Sequence, residues 1–310
     1  MADVQDVLIV GGGAAGYTAG IFAARDRCRA LLLEKFSSGG QVLNCEHITN
    51  FPGFPQGVAG YTLGPLLQEQ ATAAGLQIAM NEVTAVHRDG DLFRVETDGG
   101  AHTTRALIVA SGSRFTTLGV PGEEEFLGRG LSHCASCDGS FFMEKPVIVV
   151  GGGDAAVDEA IHLTQYASSV TVLHRRETLR ACSSLQERGR GERKISFRWN
   201  TVLRAIEGTD GVERVQVEDL ANGKTDAVPA SGVFIYAGLT PNTEFLGGLV
   251  PLDARGQIVT DLRMRTRVPG ILAAGDVRAE SARQLVTSAG DGATAALAAV
   301  EYLRDRRWPA

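Results

Sequence analysis

The chain has 310 residues, 44% of them hydrophobic, which is enough for two ordinary domains with a core each. A net charge of −6 and the lack of any basic block argue against nucleic acid or an anionic membrane as a partner. No apolar run is long enough to span a bilayer, and the start, MADVQDVLIVGGG, lacks the basic head and long apolar core of a signal peptide, so a cytoplasmic protein is expected.

The first predicted element is the strand in VLIVGGGAAGYTAG, which runs into three glycines and then a helix rich in small residues. Gly11, Gly13 and Gly16 fit the G-x-G-x-x-G pattern, in which bare backbone approaches a pyrophosphate at the N-terminus of a helix. The next strand, ALLLEK, ends in Glu34, about twenty residues on, where an acid accepts hydrogen bonds from an unmodified ribose, as in FAD or NAD. Turn signals at Asp89–Gly90 and from Asp98 then mark antiparallel strands, closed by the apolar strand of ALIVASG.

After Cys134–Asp138 (CASCD) the pattern repeats as VIVVGGGDAAVDEA, with Gly151, Gly153 and Ala156 in the fingerprint positions and Asp154 opening the helix. The place of Glu34 is taken here by His174, followed by Arg175 and Arg176. Guanidinium forks suit a 2′-phosphate, so this second site is expected to prefer NADP. Turns at Asp210–Gly211 and Asn222–Gly223 and the strand of GVFIYAG complete the second copy. The tail starts no third copy: GILAAGDV supplies one strand ending at Gly275 and Asp276, and a helix-prone stretch begins at Gln284. The fold class is therefore α/β, with two Rossmann-like dinucleotide-binding domains, each a parallel sheet with an antiparallel meander. The second is inserted into the first, giving residues 1–115 and 245–310 for one domain and 116–244 for the other.

Two cysteines two residues apart, with an acid behind them, suit a metal knuckle, a disulfide staple or a redox pair. The other cysteines, Cys28, Cys45 and Cys182, are scattered, the total is odd and no second C-x-x-C exists. A structural zinc site needs four ligands and a secreted disulfide framework is denser, so the redox reading of Cys134 and Cys137 leads and no metal is expected.

Together these motifs resemble the low-molecular-weight thioredoxin reductases. The likeness runs through GGGAAGYTAG, GGQ at Gly39–Gln41, NFPGFP from Asn50, CASCDG, GGGDAAVDEA, HRRETLRA and GILAAGDV. It implies FAD in the outer domain, NADPH in the inserted one, a homodimer, and thioredoxin or a thioredoxin-like protein as partner. By resemblance, Gly11, Gly13, Gly16 and Glu34 hold the FAD adenosine and pyrophosphate. Gln41, Asn50, Asp276 and Gln284 surround the flavin and its ribityl chain. Gly151, Gly153, Asp154, His174, Arg175, Arg176 and Arg180 form the NADPH site. Cys137 faces the flavin, Cys134 attacks the substrate, and Asp138 moves the proton. Arg129 falls where the family docks its protein substrate, and Phe141 and Phe142 lie in the aromatic stretch after the pair.

The departures are Ser140 for an aromatic, Ser111 for a threonine, and Cys45 and His47 in a segment that commonly carries threonines. Cys45 is expected to be a small buried filler rather than a third redox thiol. Alternative functions are a flavin dithiol oxidase using oxygen, a ferredoxin-driven relative and a flavin-bearing sensor. The arginines count against the oxidase, and CASCD together with a second nucleotide site counts against the sensor.

Overall fold

The computed structural model describes residues 4–45 and 48–308. The chain divides into two compact units, one made of residues 1–114 and 240–310 and the other of residues 115–239.

In the first unit, strand β1 (Val4–Val10) leads to helix α1 (Ala14–Arg25) and strand β2 (Ala30–Glu34). Helix α2 (Gly60–Ala73), strand β3 (Gln77–Met80) and the strands β4 (Val83–Asp89), β5 (Leu92–Thr97) and β6 (Gly100–Val109) follow. The unit is completed from the tail by β17 (Ile271–Ala273) and helix α6 (Leu285–Asp305). One sheet runs in the order β3-β2-β1-β6-β5-β4, with β17 also on β6. Leu8, Ile9, Leu107 and Ile108 are fully buried in its centre, as β-branched and aliphatic strands covered on both faces must be.

The meander is not a separate layer in this unit. The ten residues of β6 serve two pairings: Gly100–Thr104 run antiparallel to β5, while the stretch from Thr103 to Val109 runs parallel to β1, so Thr103 and Thr104 pair on both edges. On one face α1 and α6 meet through small side chains, since a methyl on Gly292 would collide with the Ala15 carbonyl. The same closeness makes the α1 turn possible. A methyl on Gly16 would strike the Gly11 carbonyl, so the helix can leave the strand this tightly only with glycine there.

The second unit has its own parallel sheet in the order β11-β10-β9-β15-β8. These strands span Ile195–Arg198, Ser169–Leu173, Pro146–Val150, Gly232–Ile235 and Leu131–Ser132 respectively. Here the meander, β12 (Thr201–Gly208), β13 (Val212–Asp219) and β14 (Thr225–Pro229), is a sheet of its own. Leu203, Ile206, Val215 and Val217 bury its inner face against Ile148, Val150 and Val233. The helices are α3 (Ala135–Asp138), α4 (Asp154–Leu163) and α5 (Ser183–Gly191). The chain passes between the units through β7 (Ser113–Phe115) and β16 (Leu239–Pro241). No helix among the described residues is long and apolar enough to cross a membrane.

In the first unit a half-buried arginine is paired with a buried aspartate. Arg278 grips Asp291 of α6 with Nε at 2.6 Å and Nη2 at 2.9 Å, and the same carboxylate accepts the Gly275 amide at 3.1 Å. Removing the buried Asp291 leaves the half-buried Arg278 guanidinium and the Gly275 amide without their acceptor, which costs about 3 kcal/mol. Asp291→Ala should therefore lower the urea-unfolding free energy of the cofactor-free protein by about 3 kcal/mol, and an Arg278→Met, Asp291→Leu double variant should recover most of it. A single variant as stable as the parent would contradict the assignment.

Candidate active site

Both glycine turns have room for a nucleotide. At Gly13 and at Gly153 an added Cβ would meet no atom within 4 Å, so each turn presents bare backbone to open space at the head of a helix. Beneath the first turn, Glu34 Oε2 accepts the Gly12 amide at 2.6 Å. Its other oxygen takes the amides of Lys35 and Phe36 at 2.7 and 3.0 Å. A carboxylate has about four lone-pair sites, so one is left for a ribose hydroxyl. One of the three amides, that of Gly12, belongs to the glycine turn, so Glu34 also braces the turn.

Other predicted flavin-side residues converge in the same unit. Asn50 Nδ2 donates to Gln284 Oε1 at 3.1 Å across most of the chain, and Gln41 Nε2 donates to the Ser113 carbonyl at 2.9 Å. Asp276 Oδ1 faces the hydroxyls of Ser281 and Ser288 at 3.4 and 3.3 Å. Burial pushes the Asp276 carboxyl above the usual carboxylate range, with the two hydroxyls and Arg283 acting against the shift. This donor set suits a polyhydroxy chain, which offers hydrogens to a carboxylate. Ser111 ties two chain segments together, since its hydroxyl donates to the Asn242 carbonyl at 2.7 Å and Asn242 Nδ2 returns a bond to the Ser111 carbonyl at 2.9 Å. Cys45 is exposed, with Sγ 3.9 Å from the Gln41 carbonyl, so it is not the buried filler expected of it. His47 lies outside the described residues.

The second turn is built on the opposite charge. His174 is 5% exposed, and its ring fills the space where a Cβ on Gly152 would sit. Its Nε2 pairs with the Thr178 carbonyl at 3.0 Å. Burial, and then Arg180, Arg176 and Arg175, push its pKa down, while the Thr178 contact opposes the shift. His174 therefore supports the loop from inside rather than presenting itself to a nucleotide. The three arginines are exposed around it. Their loop is strapped down: the Arg180 and Ala181 amides donate to the Gly152 carbonyl at 2.7 and 3.1 Å, and the Cys182 amide donates to Asp154 Oδ1 at 2.7 Å. Asp154 thus holds the arginine loop to the glycine turn. Exposed guanidiniums beside an open glycine turn fit a nucleotide carrying an extra phosphate.

Cys134 and Cys137 form a disulfide, with Cα atoms 5.3 Å apart. Cys134 caps α3, its sulfur accepting the Cys137 amide at 3.2 Å, and Asp138 is the last residue of that helix. His133 does not lean on the cysteine: its Nδ1 pairs with the Ile235 carbonyl at 2.9 Å and its ring stacks on Phe115. Phe142 is buried edge-on to Phe234, whereas Phe141 is 71% exposed. Arg129 braces the β12–β13 turn by donating to the carbonyls of Asp210 and Thr209 at 3.3 and 3.1 Å. Sequence reasoning missed Tyr236, whose hydroxyl accepts the Ala135 amide at 3.2 Å. The only signal was a tyrosine at the end of a buried strand, where its hydroxyl needs a partner.

A disulfide at the head of a helix, in a fold with two dinucleotide turns of opposite charge, defines a pyridine-nucleotide-linked disulfide oxidoreductase. Comparison with known proteins agrees. The family model described as pyridine nucleotide-disulphide oxidoreductase matches residues 5–293. The thioredoxin reductase of Treponema pallidum is 44% identical over 301 residues, covering 96% of this chain and 97% of that protein. That of Bacillus subtilis is 40% identical over 304 residues, covering 97% and 96%. The crystal structure of Lactococcus lactis thioredoxin reductase superposes with a TM-score of 0.95 at 40% identity, covering 97% of this chain and 99% of that one. This chain belongs to the pyridine nucleotide-disulphide oxidoreductases and, within them, to the thioredoxin reductases.

Asp276 links the site to stability. A carboxyl whose pKa is raised by folding adds stability that is complete below its unfolded value, about 4, and is lost as pH rises through the folded value. At neutral pH the cofactor-free protein carries that cost. Asp276→Asn should therefore melt higher than the parent at about pH 7 without cofactor, yet bind FAD about 10- to 100-fold more weakly, the equivalent of one charge-assisted hydrogen bond. Calorimetry of the cofactor-free form and FAD titration check both halves; unchanged FAD affinity would remove Asp276 from the site.

Proposed function

We propose that the chain uses NADPH and FAD to reduce the disulfide of thioredoxin, or of a thioredoxin-like protein, through the Cys134–Cys137 pair. The observation that carries this reading is the disulfide itself, formed within one turn in the same unit as the arginine-rich nucleotide turn. When bound, NADPH and FAD supply the two-electron chemistry that thiols and carboxylates lack.

The chain's residues bind, orient and exchange. Gly11 and Gly13 bring backbone to the FAD pyrophosphate, Gly16 lets α1 leave the strand tightly enough to present it, and Glu34 takes the adenosine ribose. Gln41, Asn50, Gln284 and Asp276 hold the ring and its ribityl chain. Gly151 and Gly153 bring backbone to NADPH, Asp154 and His174 fix the loop, and Arg175, Arg176 and Arg180 hold the 2′-phosphate. That last contact set selects NADPH over NADH.

With the pair reduced, the Cys134 thiolate attacks one sulfur of the substrate disulfide, forming a mixed disulfide and expelling the other substrate sulfur as a thiolate. Cys137 then attacks the Cys134 sulfur, restores the Cys134–Cys137 bond and releases the second substrate thiolate. The two-residue spacing makes this step intramolecular. Asp138, one residue beyond Cys137, gives and recovers the proton of the exchange. Exposed Phe141 and Arg129 lie on the substrate side in this reading. A homodimer and a cytoplasmic setting complete it, both on the strength of the family resemblance.

Variants Cys134→Ser and Cys137→Ser test the assignment. Each should retain FAD and its bleaching by NADPH, while thioredoxin-disulfide reduction falls to background. Full turnover by either variant would assign the exchange to another thiol, with Cys45 the first candidate.

A further inference from the structure

The residues on either side of Cys134 are both fastened to the end of strand β15. On one side His133 Nδ1 pairs with the carbonyl of Ile235 at 2.9 Å. On the other the amide of Ala135 donates to the hydroxyl of Tyr236 at 3.2 Å. Consecutive residues of one strand end thus clamp the residues flanking the attacking sulfur. Ala135 is fully buried, so its amide has no water to fall back on. Tyr236 is itself 9% exposed. Phe115 packs its edge at 6.1 Å, and the same Phe115 stacks on His133 at 5.0 Å, so a single aromatic ring steadies both fasteners.

A phenol that accepts from Ala135 still has its own hydrogen to donate, and the carboxylate of Glu159 on α4 is the neighbouring acceptor. Burial, and then the charges of Glu159 and Asp138, push the phenol pKa far up, so Tyr236 stays a neutral donor and acceptor through every pH at which thiols exchange. Glu159, Asp138 and His133 are the titratable groups that bear on this corner. Beyond Ala135 the turn brings the Cys137 amide onto Cys134 Sγ at 3.2 Å. An amide aimed at a sulfur stabilises that sulfur as a thiolate once the pair is reduced.

We propose that Tyr236 is a positioning residue for the redox pair: by fixing the Ala135 amide, its hydroxyl holds the turn in which the Cys137 amide supports the Cys134 thiolate. The inference rests on the reading of Cys134 as the attacking thiol. Losing the hydroxyl leaves the ring and its Phe115 contact in place but orphans a buried amide, and the turn must loosen to find it a partner. The Cys134 thiolate then loses support, so it forms at higher pH and exchanges more slowly near neutrality.

The test uses the whole FAD-bound enzyme, reduced with dithiothreitol, desalted without air and alkylated with iodoacetamide across a pH series, with Cys134 followed by peptide mass. In Tyr236→Phe the midpoint of the alkylation profile should move to higher pH, and the rate near neutrality should fall at least about threefold. A profile superimposable on the parent's would overturn the proposal. Should Tyr236→Phe fail to hold FAD, Glu159→Leu decides instead. Removing an anion favours a nearby thiolate by charge alone and would move the midpoint down. Loss of the hydroxyl's orientation moves it up, and an unchanged or downward midpoint would overturn the proposal. Alkylation needs no protein substrate. A parent enzyme that alkylates normally but leaves thioredoxin oxidised would refute the proposed function, whereas an unchanged Tyr236→Phe profile refutes only this inference.

Discussion

Each dinucleotide turn depends on one side chain, delivered from the end of the neighbouring strand to the underside of the turn's middle glycine. Glycine loops leave amides unsatisfied, and a buried amide without a partner costs about 1–3 kcal/mol. In the first turn Glu34 answers this by collecting three amides, including that of Gly12. In the second the His174 ring fills the space over Gly152. One scaffold is thereby given two electrostatic faces. A carboxylate under the loop repels an additional phosphate. A neutral imidazole tolerates one and leaves room for three exposed arginines around it.

The redox element needs a firmer seat than a loop provides, because the sulfurs must meet each other and then a substrate. A helix of four residues contributes little stability of its own. Its fixity comes from buried neighbours: Ala135 lies in one core with Phe142, Val149, Leu163 and Tyr236, with Phe115 packed against it. Placing the pair at the edge of this core leaves the sulfurs within reach of solvent while the backbone beneath them stays anchored.

Much of this is legible in the sequence because it is local. A β-branched run, three glycines and a row of small residues specify strand, turn and helix within about twenty residues. The dipeptides at Asp89–Gly90 and Asn222–Gly223 do mark hairpins, and Gln284 is the residue that precedes α6. What escapes is long-range. Nothing in GAHTTRALIV tells that its first half pairs antiparallel on one edge while the run from Thr103 onward pairs parallel on the other. His174 looks like a nucleotide contact because it stands where the first copy has Glu34, yet its ring is buried against Gly152. The small size of Cys45 suggests burial, and it lies exposed. The Arg278–Asp291 pair and the Tyr236–Ala135 contact join residues remote in sequence, which no local pattern records.

In this account the chain holds a pair of two-electron acceptors in series, a flavin and the Cys134–Cys137 disulfide. Anaerobic titration of the oxidised, FAD-loaded enzyme with NADPH, with thiols trapped at each point, tests this directly. The expected result is that about two equivalents are taken up per chain and that Cys134 and Cys137 become alkylatable together. Uptake that stops at about one equivalent, with the disulfide still intact, would contradict it.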